Sequence, residues 1–204
     1  MVASPSAQYI SPKEYLEEEK ISPIKHEYHD GEVYAMAGAS DAHVTITLNL
    51  ASLLRNHLRG SGCRSYVSDM KAQIEAKNRY YYPDVMVTCD ERDRQFDYFK
   101  RYPCLIVEVL SETTEAFDRG DKFADYRNLE SLQEYVVVSQ ARQRVEVFRR
   151  NEAGLWVLHP FEAGAEVELA TVGFRCAIAD LYEDVELRSE IPDEAETEIP
   201  RDQA

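Results

Sequence analysis

The order of apolar and polar positions divides the chain into helical and extended stretches. Ser11-Pro12-Lys13-Glu14 opens a helix that runs to about Lys20. It has a Ser N-cap, Pro at the first helical position, and Glu three residues on to complete a capping box. His26 to Met36 alternates around Asp30-Gly31, which predicts a hairpin. Ser40 is a second N-cap. Val44, Leu48, Ala51, Leu54 and Leu58 follow at helical spacing before Gly60, which predicts the main core helix with those residues inward. Strands are predicted over 63–68, 70–76 and 80–89. Pro83 cannot donate a ladder hydrogen bond, so it marks an edge, a bulge or a strand start. Residues 90–100 read as a charged loop. The run LIVEVL over 105–110 is nearly continuous in apolar residues, as a strand covered on both faces must be. A helix is predicted over 118–129, a buried strand over 133–139, an alternating antiparallel neighbour over 144–149 and one more strand over 154–159. Strands interleaved with helices predict an α/β fold of two or three layers.

The length of 204 residues suits one domain with extensions. The expected division is a flexible start over 1–10, a folded domain over 11–186 and an acidic, disordered tail over 187–204. The net charge of −15 argues against a polyanionic ligand, but it is uneven. Residues 183–204 hold nine acids and two bases, which leaves −8 for the rest of the chain. No apolar run is long enough to span a membrane, and MVASPSAQYI lacks the pattern of a secretory signal. Cys63, Cys89, Cys104 and Cys176 form no CxxC pair. This excludes a zinc ribbon and a thioredoxin-type site and predicts reduced thiols in a cytoplasm.

One carboxylate stands inside each of two apolar strands: Asp84 in YYYPDVMV and Glu108 in LIVEVL. Burying such a group is costly unless it is paired or binds a metal. If the strands are neighbours, the two acids repel by roughly 4 kcal/mol at about 4 Å and an effective dielectric of about 20. A divalent ion would satisfy both, and oxygen-only ligands suit Mg²⁺ or Mn²⁺. Taken singly, each acid is as readily a strand-end cap or an ion-pair partner. Ile106, Glu108 and Leu110 share a strand face, so the place two residues beyond Glu108 holds no lysine. Lys122 is the nearest alternative, and it is equally readable as a surface pair with Asp118. His43, in the first turn of the Ser40 helix, is a candidate for contacting the site or a phosphate. His26 and His29, around the hairpin, are expected at the surface. Arg92, Arg94, Lys100 and Arg101 lie in the loop between the acidic strands, and Arg119 and Arg127 follow Glu108; these are candidate phosphate contacts. Ser111 has no neighbouring His, and no phosphate-binding glycine motif is present.

Tyr82-Pro83-Asp84, then Ile106-Val107-Glu108-Val109-Leu110-Ser111, Thr114, Asp118-Arg119, Lys122, Tyr126 and Glu134-Tyr135-Val136-Val137-Val138 form an ordered series. With Glu27, Asp30-Gly31-Glu32, Ser40 and His43 ahead of it, the series resembles the Uma-type restriction endonuclease family of the PD-(D/E)XK nuclease superfamily. The resemblance covers roughly residues 10–185. It implies a restriction-endonuclease-like core, a central mixed sheet flanked by helices, and Mg²⁺-dependent hydrolysis of DNA phosphodiester bonds. It implies Asp84 and Glu108 as metal ligands, Lys122 as a migrated catalytic lysine, and Glu27 or Glu32 as the acid from the N-terminal region. A homodimer is expected, because nucleases that cut both strands often pair. The alternative is a catalytically silent nuclease-fold protein that binds nucleic acid or a protein partner, which Leu110 and the net acidity favour; a hydrolase of another phosphoester is a third reading.

Overall fold

The computed structural model describes residues 9–187; the predicted tail, apart from Leu187, and the first eight residues lie outside it. Helix α1 (Pro12–Glu19) carries the capping box, with Glu14 N donating to Ser11 Oγ and Ser11 N donating to Glu14 Oε2 at 2.9 Å. Strands β1 (His26–His29) and β2 (Glu32–Ala35) form the hairpin. Its turn residues Asp30 and Gly31 both take positive φ, as a two-residue turn matched to strand twist requires. Helix α2 (Asp41–His57) starts at Ser40, whose hydroxyl accepts from His43 N.

Strands β3 (Arg64–Val67), β4 (Lys71–Ile74), β5 (Arg79–Tyr81) and β6 (Val85–Thr88) make one long hairpin that bends midway. Its base belongs to a six-stranded sheet and its tip to a five-stranded one. The predicted single strand over 80–89 is therefore two. Pro83 supplies no N–H, and the chain changes sheet there, with Ser68 N donating to Asp84 O across the bend. After β7 (Phe99–Lys100) comes β8 (Pro103–Leu110). The next segment runs as α3 (Glu115–Phe117), one π turn (Asp118–Lys122) and α4 (Phe123–Tyr126), starting three residues earlier than predicted. Strands β9 (Glu134–Ser139), β10 (Arg144–Arg150) and β11 (Trp156–Glu162) follow, then a hairpin of β12 (Glu166–Leu169) and β13 (Phe174–Ala177) and the short α5 (Ile178–Leu181), none of which the sequence pattern predicts.

The larger sheet has the order β11-β10-β9-β8-β6-β3; it is mixed, since β8 and β9 run parallel while the other pairs are antiparallel. One face packs Leu105, Val107 and Val109 of β8 against Ile46, Leu50 and Leu54 of α2 and against the β12–β13 hairpin. The other packs Ile106 and Leu110 against Tyr126, Leu129 and Tyr135. Covering both faces is what makes LIVEVL apolar, at roughly 1.5–3 kcal/mol for each large side chain buried. The smaller sheet, β2-β1-β5-β4-β7, meets α1 through the rings of Tyr15, Tyr28 and Tyr80.

Three expectations need correction. Val44 and Leu48 are 54% and 62% exposed: α2 turns the stripe Ile46, Leu50, Leu54 inward, and the parallel stripe one step round the helix faces out. His29 is only 9% exposed, because its ring is enclosed by Tyr34, Tyr81 and Phe117. Cys63 and Cys89 are joined in a disulfide, so the expectation of reduced thiols fails for this pair. The register pairs Arg64 with Thr88, which sets the two cysteines opposite each other at the next position outward.

Candidate active site

The sheet register sets the two strand acids on neighbouring strands, opposite each other along the backbone. Val85 pairs with Val107, so Asp84 stands across from Glu108. The ladder stops there, and Val109 N donates instead to Asp84 Oδ2 at 2.7 Å. Asp84 Oδ1 lies 2.8 Å from His43 Nε2. The Ser40 cap fixes the start of α2 and so places His43 over this carboxylate.

Glu108 points to the opposite face from Val107 and Val109, under the 115–126 segment. It is 3% exposed. Tyr126 OH donates to its Oε1 at 3.0 Å, and Lys122 Nζ lies 3.2 Å from the same oxygen. Lys122 also reaches Glu27 Oε1 at 3.1 Å and Asp118 Oδ1 at 3.6 Å. Glu27 Oε1 in turn accepts from Tyr82 N, and Tyr135 OH donates to Asp118 O. Asp118 and Lys122 are i and i+4, but both are buried, so the pair is no surface bridge. Leu110, where the strand lysine of the resembled family would stand, belongs to the core beside Tyr126 and Tyr135. The Lys122 ammonium comes from the covering segment, with Nζ 5.5 Å from the centre of the Tyr81 ring.

Three buried acids, Glu27, Glu108 and Asp118, thus share one ammonium. Burial raises the Glu108 carboxyl well above its ordinary range despite Lys122, with Asp118, Asp84 and Glu27 adding to the rise. Burial raises Asp118 too, against the pull of Lys122. Burial works against the Lys122 charge, but Glu108, Glu27 and Asp118 outweigh it and hold the ammonium well above its usual value. The cluster holds three carboxyl groups to one ammonium.

Asp84 and Glu108 carry hard oxygen donors of the kind a small divalent cation takes, although the Asp84 oxygens meet His43 and the Val109 amide. Among the described residues no three His, Cys, Asp or Glu side chains form a ready cage. A Mg²⁺ site on two carboxylates, completed by water and phosphate, needs none.

Other predicted residues fall elsewhere. Glu32 is exposed and accepts from Tyr34 OH at 2.5 Å, apart from the buried acids. It lies beside the hairpin turn, opposite His29, whereas Glu27 is two residues deeper against Tyr82. Glu27 rather than Glu32 is therefore the N-terminal acid of the cluster. Arg119 pairs through Nε with Glu115 at 2.7 Å and through Nη1 with the buried Glu146. Arg92 and Arg94 pair with Asp90 and Glu91, and Lys100 is buried, donating to backbone carbonyls. Sequence reasoning missed Asp118 and Tyr126 as members of the cluster. Their signal was helical spacing: 118, 122 and 126 fall on one face.

A mixed sheet flanked by helices, with an acid on each of two neighbouring strands and a buried lysine paired with one of these acids, is an α/β fold of the nuclease type. The chain matches the Uma2 family, described as "Putative restriction endonuclease", over residues 12–179, and it belongs to that family. It is 44% identical over 181 residues to the "Uncharacterized protein slr1290" of Synechocystis sp. (strain ATCC 27184 / PCC 6803 / Kazusa), covering 88% of this chain and 95% of that one. It is 34% identical over 173 residues to "Uncharacterized protein sll1609" of the same organism, covering 83% and 98%. A crystal structure of a "putative nuclease belonging to DUF820" from Anabaena variabilis superposes with a TM-score of 0.70, covering 85% of this chain and 98% of that one at 16% identity; it shares the restriction-endonuclease-like fold. No helix among the described residues is long and apolar enough to cross a membrane.

Proposed function

We propose that this protein is a metal-dependent endonuclease that hydrolyses DNA phosphodiester bonds. The observation that carries the reading is the buried cluster in which Glu27, Glu108 and Asp118 surround Lys122, next to Asp84. Such an excess of buried acid is costly for a fold and useful for holding a divalent ion. Asp84 and Glu108 would hold Mg²⁺ or Mn²⁺, and the ion when bound supplies an acidified water and a polarised phosphate oxygen. The protein's own groups do the rest. Lys122 offsets charge on the phosphate as it is attacked. Glu27 and Asp118 hold the ammonium in place, Tyr126 orients Glu108, and His43 orients Asp84. We further propose that the enzyme works as a homodimer.

The test is cleavage of supercoiled plasmid with Mg²⁺ by wild type, Glu108→Gln and Lys122→Met. Wild type should nick or linearise the plasmid and both variants should fail. Equal cutting by either variant would reject the site, and light scattering showing a monomer would reject the dimer. A second reading, a silent nuclease fold that binds nucleic acid or a protein, draws on Asp84, both of whose oxygens already meet protein donors. Mn²⁺ calorimetry separates the two: a silent fold binds no ion.

A further inference from the structure

A cavity of about 730 Å³ lies between the β1–β2 hairpin, β5 and the 115–126 segment. It shares a wall with the acid cluster. His29 lines it, with Nε2 4.0 Å from Glu27 Oε2, and Tyr81 lines it beside Lys122. The wall is aromatic: the His29 ring packs with Tyr34, Tyr81 and Phe117 at 4.6, 5.0 and 5.9 Å. Burial, reinforced by the charges of Arg79 and Lys122, pushes His29 down to about 4, so the ring is neutral at physiological pH. This imidazole is nine-tenths buried, and its Nε2 finds no hydrogen-bond partner among the described residues.

The rim is acidic. Asp30, Glu32, Asp121 and Asp125 face one base, Arg79, which leaves a net −3. Tyr81 OH donates to Asp125 at 2.6 Å, and Arg79 Nε stands 3.4 Å from it, while Asp121 is exposed. Such a rim repels anions. It is also a poor match for a single metal ion, since no three ligating side chains among the described residues converge. Carboxylates spread around an aromatic-walled cavity suit an elongated cation with several separated charges, because each ammonium finds an acid and the alkyl links lie on ring faces.

We propose that this cavity binds a linear alkylammonium polycation, with its charges on the acidic rim and its methylenes against His29, Tyr34 and Phe117. The source is a free polyamine or the lysine side chains of a partner segment. The site is independent of the nuclease reading, and it is tested by binding alone.

Calorimetric titration of the full chain with spermidine should show one site per chain. Asp121→Asn should weaken it by about two- to fivefold, the effect of one exposed charge pair. Tyr34→Leu should weaken it similarly, with near-ultraviolet circular dichroism confirming the fold. Asp97→Asn, outside the cavity, should leave it unchanged. Spermidine should also shift the His29 ring signals in NMR spectra. A tetralysine peptide that binds more tightly than spermidine assigns the site to a partner segment, and one that binds more weakly assigns it to a free polyamine. Weakening by Asp97→Asn equal to that by Asp121→Asn, an unmoved His29 signal, or preference for a nucleoside over both amines would overturn the proposal.

Discussion

Replacing Lys122 with Met removes the one cation that the described residues place in the buried acid cluster, while keeping most of the side-chain volume. Its ammonium lies 3.1, 3.2 and 3.6 Å from Glu27, Glu108 and Asp118. Breaking one buried pair by deleting a partner costs roughly 3–5 kcal/mol. Here three acids lose the same partner, and Glu108 and Asp118 respond by taking up protons. Glu108 and Asp118 are already raised by burial with Lys122 present, and without it they rise further. A carboxyl whose folded pKa is raised binds more protons in the folded state than in the unfolded one. Its stabilising effect is complete below the ordinary carboxylate pKa of about 4 and is lost as pH climbs through the folded value. The variant should therefore lose about 3–5 kcal/mol near pH 8 and recover much of it as pH falls toward the ordinary carboxylate value of about 4. Urea unfolding followed by far-ultraviolet circular dichroism across that range measures both. A variant within about 0.5 kcal/mol of wild type near pH 8, with a parallel pH curve, would refute the description of the cluster.

Glu108→Gln should abolish Mn²⁺ binding in calorimetry while keeping the fold, because a neutral amide no longer repels Asp118 or draws a cation; unchanged binding would place the ion elsewhere. Tyr126→Phe removes the hydroxyl that donates to Glu108 at 3.0 Å. It should cost about 1–3 kcal/mol in urea unfolding. Cys63→Ser opens a disulfide spanning 26 residues. It should destabilise by about 3.5 kcal/mol by loop entropy, and reductant should lower wild type by the same amount and leave the variant unmoved.

The acids at 84 and 108 were legible because a lone charge in an apolar strand is expensive enough to need a reason. Their placement on neighbouring strands depended on register, which the run of Val and Ile does not encode. Lys122 could be nominated but not placed, because an i,i+4 pair with Asp118 reads the same on a solvated helix as on one pressed against a sheet. The hairpin turn was legible from Asp30-Gly31, yet the choice between Glu27 and Glu32 required knowing which end of the hairpin meets Tyr82. The inward face of α2 was misread because Val44 and Leu48 lie at as good a helical spacing as Ile46 and Leu50; packing against β8 decides between them. Cys63 and Cys89 are 26 residues apart, and nothing short of the β3–β6 pairing would join them. The 166–177 hairpin is short, and its alternation is too brief to stand out from a surface loop.

The long hairpin crosses between sheets at Tyr82-Pro83-Asp84, so the acid cluster sits on a seam. Glu27 and the Tyr82 amide ride with the smaller sheet, Glu108 rides with the larger one, and Lys122 is tethered to both. Any slip of one sheet over the other is read out first as a change in carboxylate spacing. A polymer gripped on both sides of the seam would set that spacing, and one gripped on a single side would leave it as it was.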